Sequence, residues 1–384
     1  MFAILLITGC GNVNNKPQKT EIEKLSPTIT VKKTLVPRPS ETITPTKRPT
    51  LTHTCTPSPT FTPSQTPSPT ITPIGGGSGK IFFFRRENDQ DAGELYSISA
   101  NGENLNQITI NENVLWGYYD YSPQESAFVY QNADGIWIRY NEIAEAIKLL
   151  PSEYVLDSWL PDGNTVLVSK NYAESFLLNI ADGELTQVTT DEYDAQFFTL
   201  SPDQTKLAFA SRKSGRQRIY VIGLDGNTDP IQITHSRGPE GNWYPVWSPD
   251  STKIIFTSCS SSGCNIGLVN ADGTDETTIG KNLSPAGAIW LDDETIIFRK
   301  EYSSGVGFAI SRINIDGTGE VDLITDRSFG ITMALSPDKR KILFLGDCHG
   351  TYTNCDLFVA NIDGSEVQKI TNSLGYYRNM MWQR

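Results

Sequence analysis

Three histidines and six cysteines, among 384 residues, bound the chemistry open to this chain. His53, His235 and His349 lie in separate segments, so a His-rich metal centre has no cluster to draw on and a Ser-His-Asp relay has little. No Gly-x-Ser-x-Gly elbow occurs, which removes the usual nucleophile of α/β-hydrolases. The Asp-Gly dipeptides lack the Asp-x-Asp-x-Asp-Gly ligand spacing of a calcium loop. The residues therefore assign no catalytic group, no cofactor and no metal. Carboxylates are the remaining catalytic currency. Asp120 and Asp157 fall on strands expected to be innermost, where a facing pair would suit a hydrolase or lyase; solvation or a turn or cap role is the preferred reading of both.

Four of the cysteines form two close pairs, Cys259/Cys264 and Cys348/Cys355. Each pair brackets a loop between two apolar strands, at the same position of its repeat, and a hairpin brings such residues within disulfide reach. Zinc is the rival, but neither pair has CxxC spacing and they stand two repeats apart. Disulfides are expected, each closing a short loop worth about 2 kcal/mol on the entropic model. Cys55 is left over.

The elements that position these residues repeat. An aromatic or Leu, usually followed by Ser-Pro-Asp and an apolar strand, recurs at Tyr121, Trp159, Leu200, Trp247, Trp290, Leu335 and Trp382, with spacings of 38, 41, 47, 43, 45 and 47 residues. A period of this length marks a propeller or another repeat array. One unit runs Tyr244–Trp247, a Ser-Pro-Asp turn, Lys253–Thr257, the Cys-bracketed loop, Ile266–Val269, an Asp-Gly turn and a last strand to Ile279, four antiparallel strands termed a to d. Asp-Gly supplies the two φ > 0 residues of a tight hairpin and marks the c–d turn. The first unit begins at strand b, Ile81–Phe84, and the last is followed by a lone strand a, Asn379–Trp382. Supplying the missing strand from the far end closes the ring and protects the sheet edges. The predicted fold is all-β, a seven-bladed β-propeller of four-stranded antiparallel blades over 80–384, or six-bladed if the second unit is degenerate.

These units resemble the WD-type propeller repeats of TolB-like proteins, with the pattern W-S-P-D, K-I-x-F, I-x-V-x-x-x-D-G, I-T. Trp247-Ser248-Pro249-Asp250, Leu200-Ser201-Pro202-Asp203 and Leu335-Ser336-Pro337-Asp338 carry it best. The resemblance implies a propeller fold over about 80–384 and says almost nothing of function, because one fold hosts many roles. TolB has an additional N-terminal domain, where this chain carries a different kind of segment.

That segment, 11–79, holds 12 of the 22 prolines, in Thr/Ser/Pro runs closed by Gly75-Gly76-Gly77. Such composition buries no core and favours extended polyproline II, a stalk. Ahead of it, Phe2–Thr8 is a short apolar run ending at Ile7-Thr8-Gly9-Cys10, which resembles the lipobox of bacterial lipoproteins; residues 1–10 read as the signal and Cys10 as the lipidation site. The formal charge is −12, and 11–79 carry eight Lys/Arg against three Asp/Glu, which leaves −17 on 80–384. An acidic folded part argues against nucleic acid.

The end of the propeller bearing the b–c and d–a loops gathers Trp116, Tyr154, Tyr193, Trp243, Tyr244, Arg237, Tyr376 and Tyr377, the expected ligand-binding surface. Exposed Trp, Tyr and Arg dominate protein hot spots, and flat rings also stack on sugars. The expectation is a monomeric, non-catalytic binding module on a membrane-anchored lipoprotein, at the cell surface or in the periplasm. Its partner would be an envelope protein or a cell-wall or environmental glycan, with a carboxylate hydrolase or lyase at the channel mouth as the alternative.

Overall fold

The computed structural model describes residues 79–383, apart from 87–91, 116–117, 123, 141–144, 172, 226–227, 236–240, 261–262, 282–286, 302–307, 326, 331, 350–353 and 372–374. Cys10, Cys55, Trp116 and Arg237, with the signal and the stalk, lie outside the described residues. What is described is almost entirely β-strand; the one helical turn is a 3-10 segment at Asp191–Tyr193.

Pairing groups the strands into five separate four-stranded antiparallel sheets and one nine-stranded sheet. The nine-stranded sheet contains two further four-stranded sets, the last and the first along the chain, joined where Asn354 and Cys355 pair with Tyr376 and Gly375. The C-terminal strand Gly375–Trp382 lies antiparallel to Lys80–Arg86, with Ile81 opposite Trp382 and Phe84 opposite Arg378. The missing strand a of the first unit is thus supplied from the far end of the chain. The second unit, the weakest in sequence, still forms a complete sheet from Tyr119–Ser122, Ala127–Asn132, Gly135–Tyr140 and Ile147–Pro151.

The core is divided rather than single. Seven apolar clusters each join one unit to the next, such as Ala210 and Ile219 against Ile254 and Phe256, and Leu167 against Leu207 and Phe209. One of the seven joins the last unit to the first, through Leu343 and Leu357 against Ile81 and Phe83. This explains the K-I-x-F pattern. Strand b is covered on both faces by neighbouring blades, so Ala127–Asn132 is buried along its whole length and needs apolar residues at consecutive positions. Burying one such Phe or Leu stabilises by about 1.5–3 kcal/mol. Tight stacking also explains Gly267, where a Cβ would stand 2.2 Å from the Phe256 ring.

The recurrent polar residues are turn and edge chemistry. In three units the serine of Ser-Pro-Asp donates to the aspartate (Ser201 to Asp203, Ser248 to Asp250 and Ser336 to Asp338, each 2.6 Å). The same hydroxyl accepts the first strand-b amide, from Lys206, Lys253 and Lys341. These hydrogen bonds hold the Asp203 and Asp338 carboxyls below the usual carboxylate range. In the Gln-Ile/Val-Thr ending of strand d, the threonine hydroxyl accepts a buried strand-c amide. Leu95 N–H goes to Thr109, Ser175 to Thr189 and Ile219 to Thr234, each 2.9 Å. The glutamine amide donates to that threonine's own carbonyl, from Gln107, Gln187 and Gln232. Motif and hydrogen-bond pattern coincide, so no ligand is needed to explain either.

Candidate binding surface

Strand registers place the b–c and d–a connections at one end of the sheets and the a–b and c–d turns at the other. The first end is less uniform than its sequence suggests. Asn132 pairs directly with Gly135, a two-residue hairpin, whereas the connection after Gly346 runs on to Asp356. Both disulfides form at this end: Cys259–Cys264 spans paired residues of one hairpin, and Cys348–Cys355 braces the longer connection.

The structure separates the predicted aromatics into two groups. Tyr154 and Tyr377 are 7% and 1% exposed and belong to inter-blade clusters; they are packing groups, not an open surface. Both lie near the start of a strand a, where alternation and the next blade turn the ring inward. Tyr193, Trp243, Tyr244 and Tyr376 remain partly exposed. Two of these four carry a cation over the ring: Lys213 lies 3.6 Å from the centroid of Tyr193 and Arg86 lies 4.9 Å from that of Tyr376. Lys213 also pairs with Glu192, so its charge is largely answered.

The Trp243–Tyr244 step is different. Strand Gly241–Trp247 breaks register between Trp243 and Val246, and Tyr244 sits at φ 52°. The neighbouring innermost strand breaks register at the equivalent place, with Phe197 at φ 57°, and the two rings meet at 4.4 Å. Asn379, at φ 43°, occupies the same position of the C-terminal strand, where the Tyr119 hydroxyl donates to its carbonyl. Left-handed backbone in Phe and Tyr is strained, and bulges redirect side chains, often beside functional sites. Burial raises the Tyr244 phenol. Gly241, at φ 129°, lets this strand approach its neighbour, since a Cβ there would stand 2.7 Å from that of Gln217. Trp243 and Tyr244 are visible in the sequence as aromatics near the loops, but no residue type announces the bulge, and nothing in the sequence marks Phe197 as their neighbour.

The two candidate carboxylates have different fates. Asp120 accepts the backbone N–H groups of Tyr121 (2.8 Å) and Trp159 (2.7 Å), tying adjacent innermost strands, a structural role. Asp157 is the extra residue of the bulge opposite Leu167 and Val168. Its side chain is exposed to solvent, although neighbouring protein crowds it enough to disfavour the charged form. Desolvation pushes its carboxyl up to about 7, against the lowering effect of a Ser169 hydrogen bond. Among the described residues no group of three or more His, Cys, Asp or Glu is placed to hold a metal.

Solved structures with this fold are varied in activity. A protein from Lactobacillus plantarum matches at 14% identity and TM-score 0.57, over 80% of this chain and 99% of that one. A puromycin-hydrolyzing peptidase from Mycobacterium tuberculosis matches at 12% and 0.60, over 79% and 53%. An oligogalacturonate lyase from Vibrio parahaemolyticus matches at 13% and 0.53, over 71% and 89%. At such identities the likeness is one of fold. No curated protein matches the sequence. The family model of the TolB beta propeller domain matches residues 156–384, more than half of the chain, and the chain belongs to that family.

Proposed function

We propose that the protein is a non-catalytic, extracytoplasmic binding module. A seven-bladed propeller over 80–384 stands on the Pro/Thr-rich stalk 11–79 and is held at a membrane by acyl chains on Cys10. The strained Trp243–Tyr244 step, with Phe197 of the neighbouring strand beneath it, is the observation that carries the reading. A rigid, half-exposed aromatic step fits a partner protein's apolar anchor, the chemistry of interface hot spots. Two disulfides at the same end support an oxidising compartment. The partner is an envelope protein. A glycan is the second reading, favoured by the flat ring pair. Hydrolase or lyase chemistry has Asp157 as its best residue, but the second carboxylate considered, Asp120, is already engaged by two backbone N–H groups.

Capture from envelope extract and a glycan array, with wild type and Trp243→Ala/Tyr244→Ala side by side, test the surface. Loss of the captured ligand in the double variant supports it, and an unchanged set of ligands overturns it. Palmitate labelling that persists in Cys10→Ser would remove the anchor.

A further inference from the structure

At the opposite end, among the a–b turns, a cavity of about 220 Å³ is lined by Asp120, Tyr121, Gln124, Trp159, Met381 and Trp382, with Ser122, Leu160 and Pro161 completing its wall. It lies where three neighbouring turns depart from the repeat consensus. In place of Ser-Pro-Asp stand Ser122-Pro123-Gln124 and Leu160-Pro161-Asp162, and Trp382 is followed by Gln383. The serine–aspartate latch found at Ser201, Ser248 and Ser336 is therefore missing. Ser122 makes two long contacts, donating to Gln124 and accepting from the Glu125 N–H, each 3.4 Å, and the Gln124 amide reaches across to the Pro161 carbonyl at 2.8 Å. The tryptophans change as well. Trp247 and Trp290 donate their indole N–H to the preceding innermost strand, at Thr199 and Val246 (3.1 and 3.0 Å). Those of Trp159 and Trp382 have no hydrogen-bond partner among the described residues.

The lining is chemically one-sided. It holds three aromatic rings and one carboxylate, and no Lys, Arg or His. The Tyr121 ring is held in place by Phe82 and Phe128, each with its centroid 4.8 Å away, and its hydroxyl accepts a hydrogen bond from Gln383. Asp120 is fixed by its two backbone donors. The buried indole N–H groups of Trp159 and Trp382 are shut off from solvent and so offer no donors to an anion on the open wall. Aromatic faces attract cations through their quadrupole, by about 2 kcal/mol when water is excluded, and a carboxylate adds charge. The net −17 of 80–384 draws cations toward the mouth.

We propose that this cavity is a binding site for an organic ammonium group, the head of a quaternary or alkylated amine. It is separate from the aromatic step at the loop end and does not depend on it. Choline is the probe, titrated against the intrinsic fluorescence of the protein, with neohexyl alcohol, its uncharged carbon isostere, and acetate in parallel. The expected result is a saturable change with choline alone, weakened at least about tenfold by Asp120→Asn or Tyr121→Leu. Trp243→Ala/Tyr244→Ala leaves it unchanged. Should Asp120→Asn fail to fold, the choline–neohexyl alcohol comparison and Tyr121→Leu still decide. Equal response to the uncharged isostere, no response to choline, or binding of acetate in its place would overturn the assignment.

Discussion

The units around Leu200, Trp247 and Leu335 and the sector where the chain ends meet use the same four-stranded sheet for different ends. In the former, serine, aspartate and tryptophan are spent on holding turns and neighbouring strands. At the seam, around Tyr121, Trp159 and Trp382, the latch residues are replaced, two indoles are unpartnered and a cavity opens. The family match begins at residue 156, so it omits the first two units, which supply Asp120 and Tyr121. Repetition builds the scaffold, and departures from it locate the surfaces that repetition does not explain.

The sharpest challenge to this contrast is the seam itself. Trp382 is 5% exposed within the cluster joining the last and first units, and Trp382→Ala is expected to cost about 3–5 kcal/mol, read as a lowered urea midpoint. A near-neutral result would show that the ends are not clasped. Cys259→Ser/Cys264→Ser comes next, at about 2 kcal/mol, with ligand capture at the loop end reduced more than stability if the braced hairpin serves binding. Ser248→Ala removes a latch and should lose about 1 kcal/mol, whereas Ser122→Ala should lose well under half of that; equal losses would erase the distinction between the two kinds of turn. The last effect concerns Asp157 and depends on pH. Its carboxyl titrates near 7 in the fold and near 4 unfolded, so the fold binds a proton that the unfolded chain has released. Stability falls as pH rises through that window. Asp157→Asn should therefore be neutral near pH 4 and stabilising above pH 7, by only on the order of 1 kcal/mol because solvent screens a charge at this exposed position.

Much of this architecture is legible in the sequence. The signature column gives the repeat, Asp-Gly gives the hairpins, and the unmatched strand Asn379–Trp382 gives the closure, because each rests on local backbone chemistry or a fixed period. The cysteine pairs were legible for the same reason. What was not legible depends on neighbours distant in the chain. Tyr154 and Tyr377 have the composition of a surface and the burial of a core, since the adjacent blade decides which way a ring packs. The left-handed Phe197 and Tyr244 leave no compositional mark. The seam cavity leaves a trace in Gln124 and Leu160, which stand where Asp and Ser recur, but its aromatic walls come from three separate units.

Backbone hydrogen exchange along Lys80–Arg86 and Gly375–Trp382 tests the ring closed by its own ends most directly. The closed ring predicts that amides of this pair exchange as slowly as those of the interior strand Lys253–Ser260. Fast exchange at the seam, with Lys253–Ser260 still protected, would contradict it.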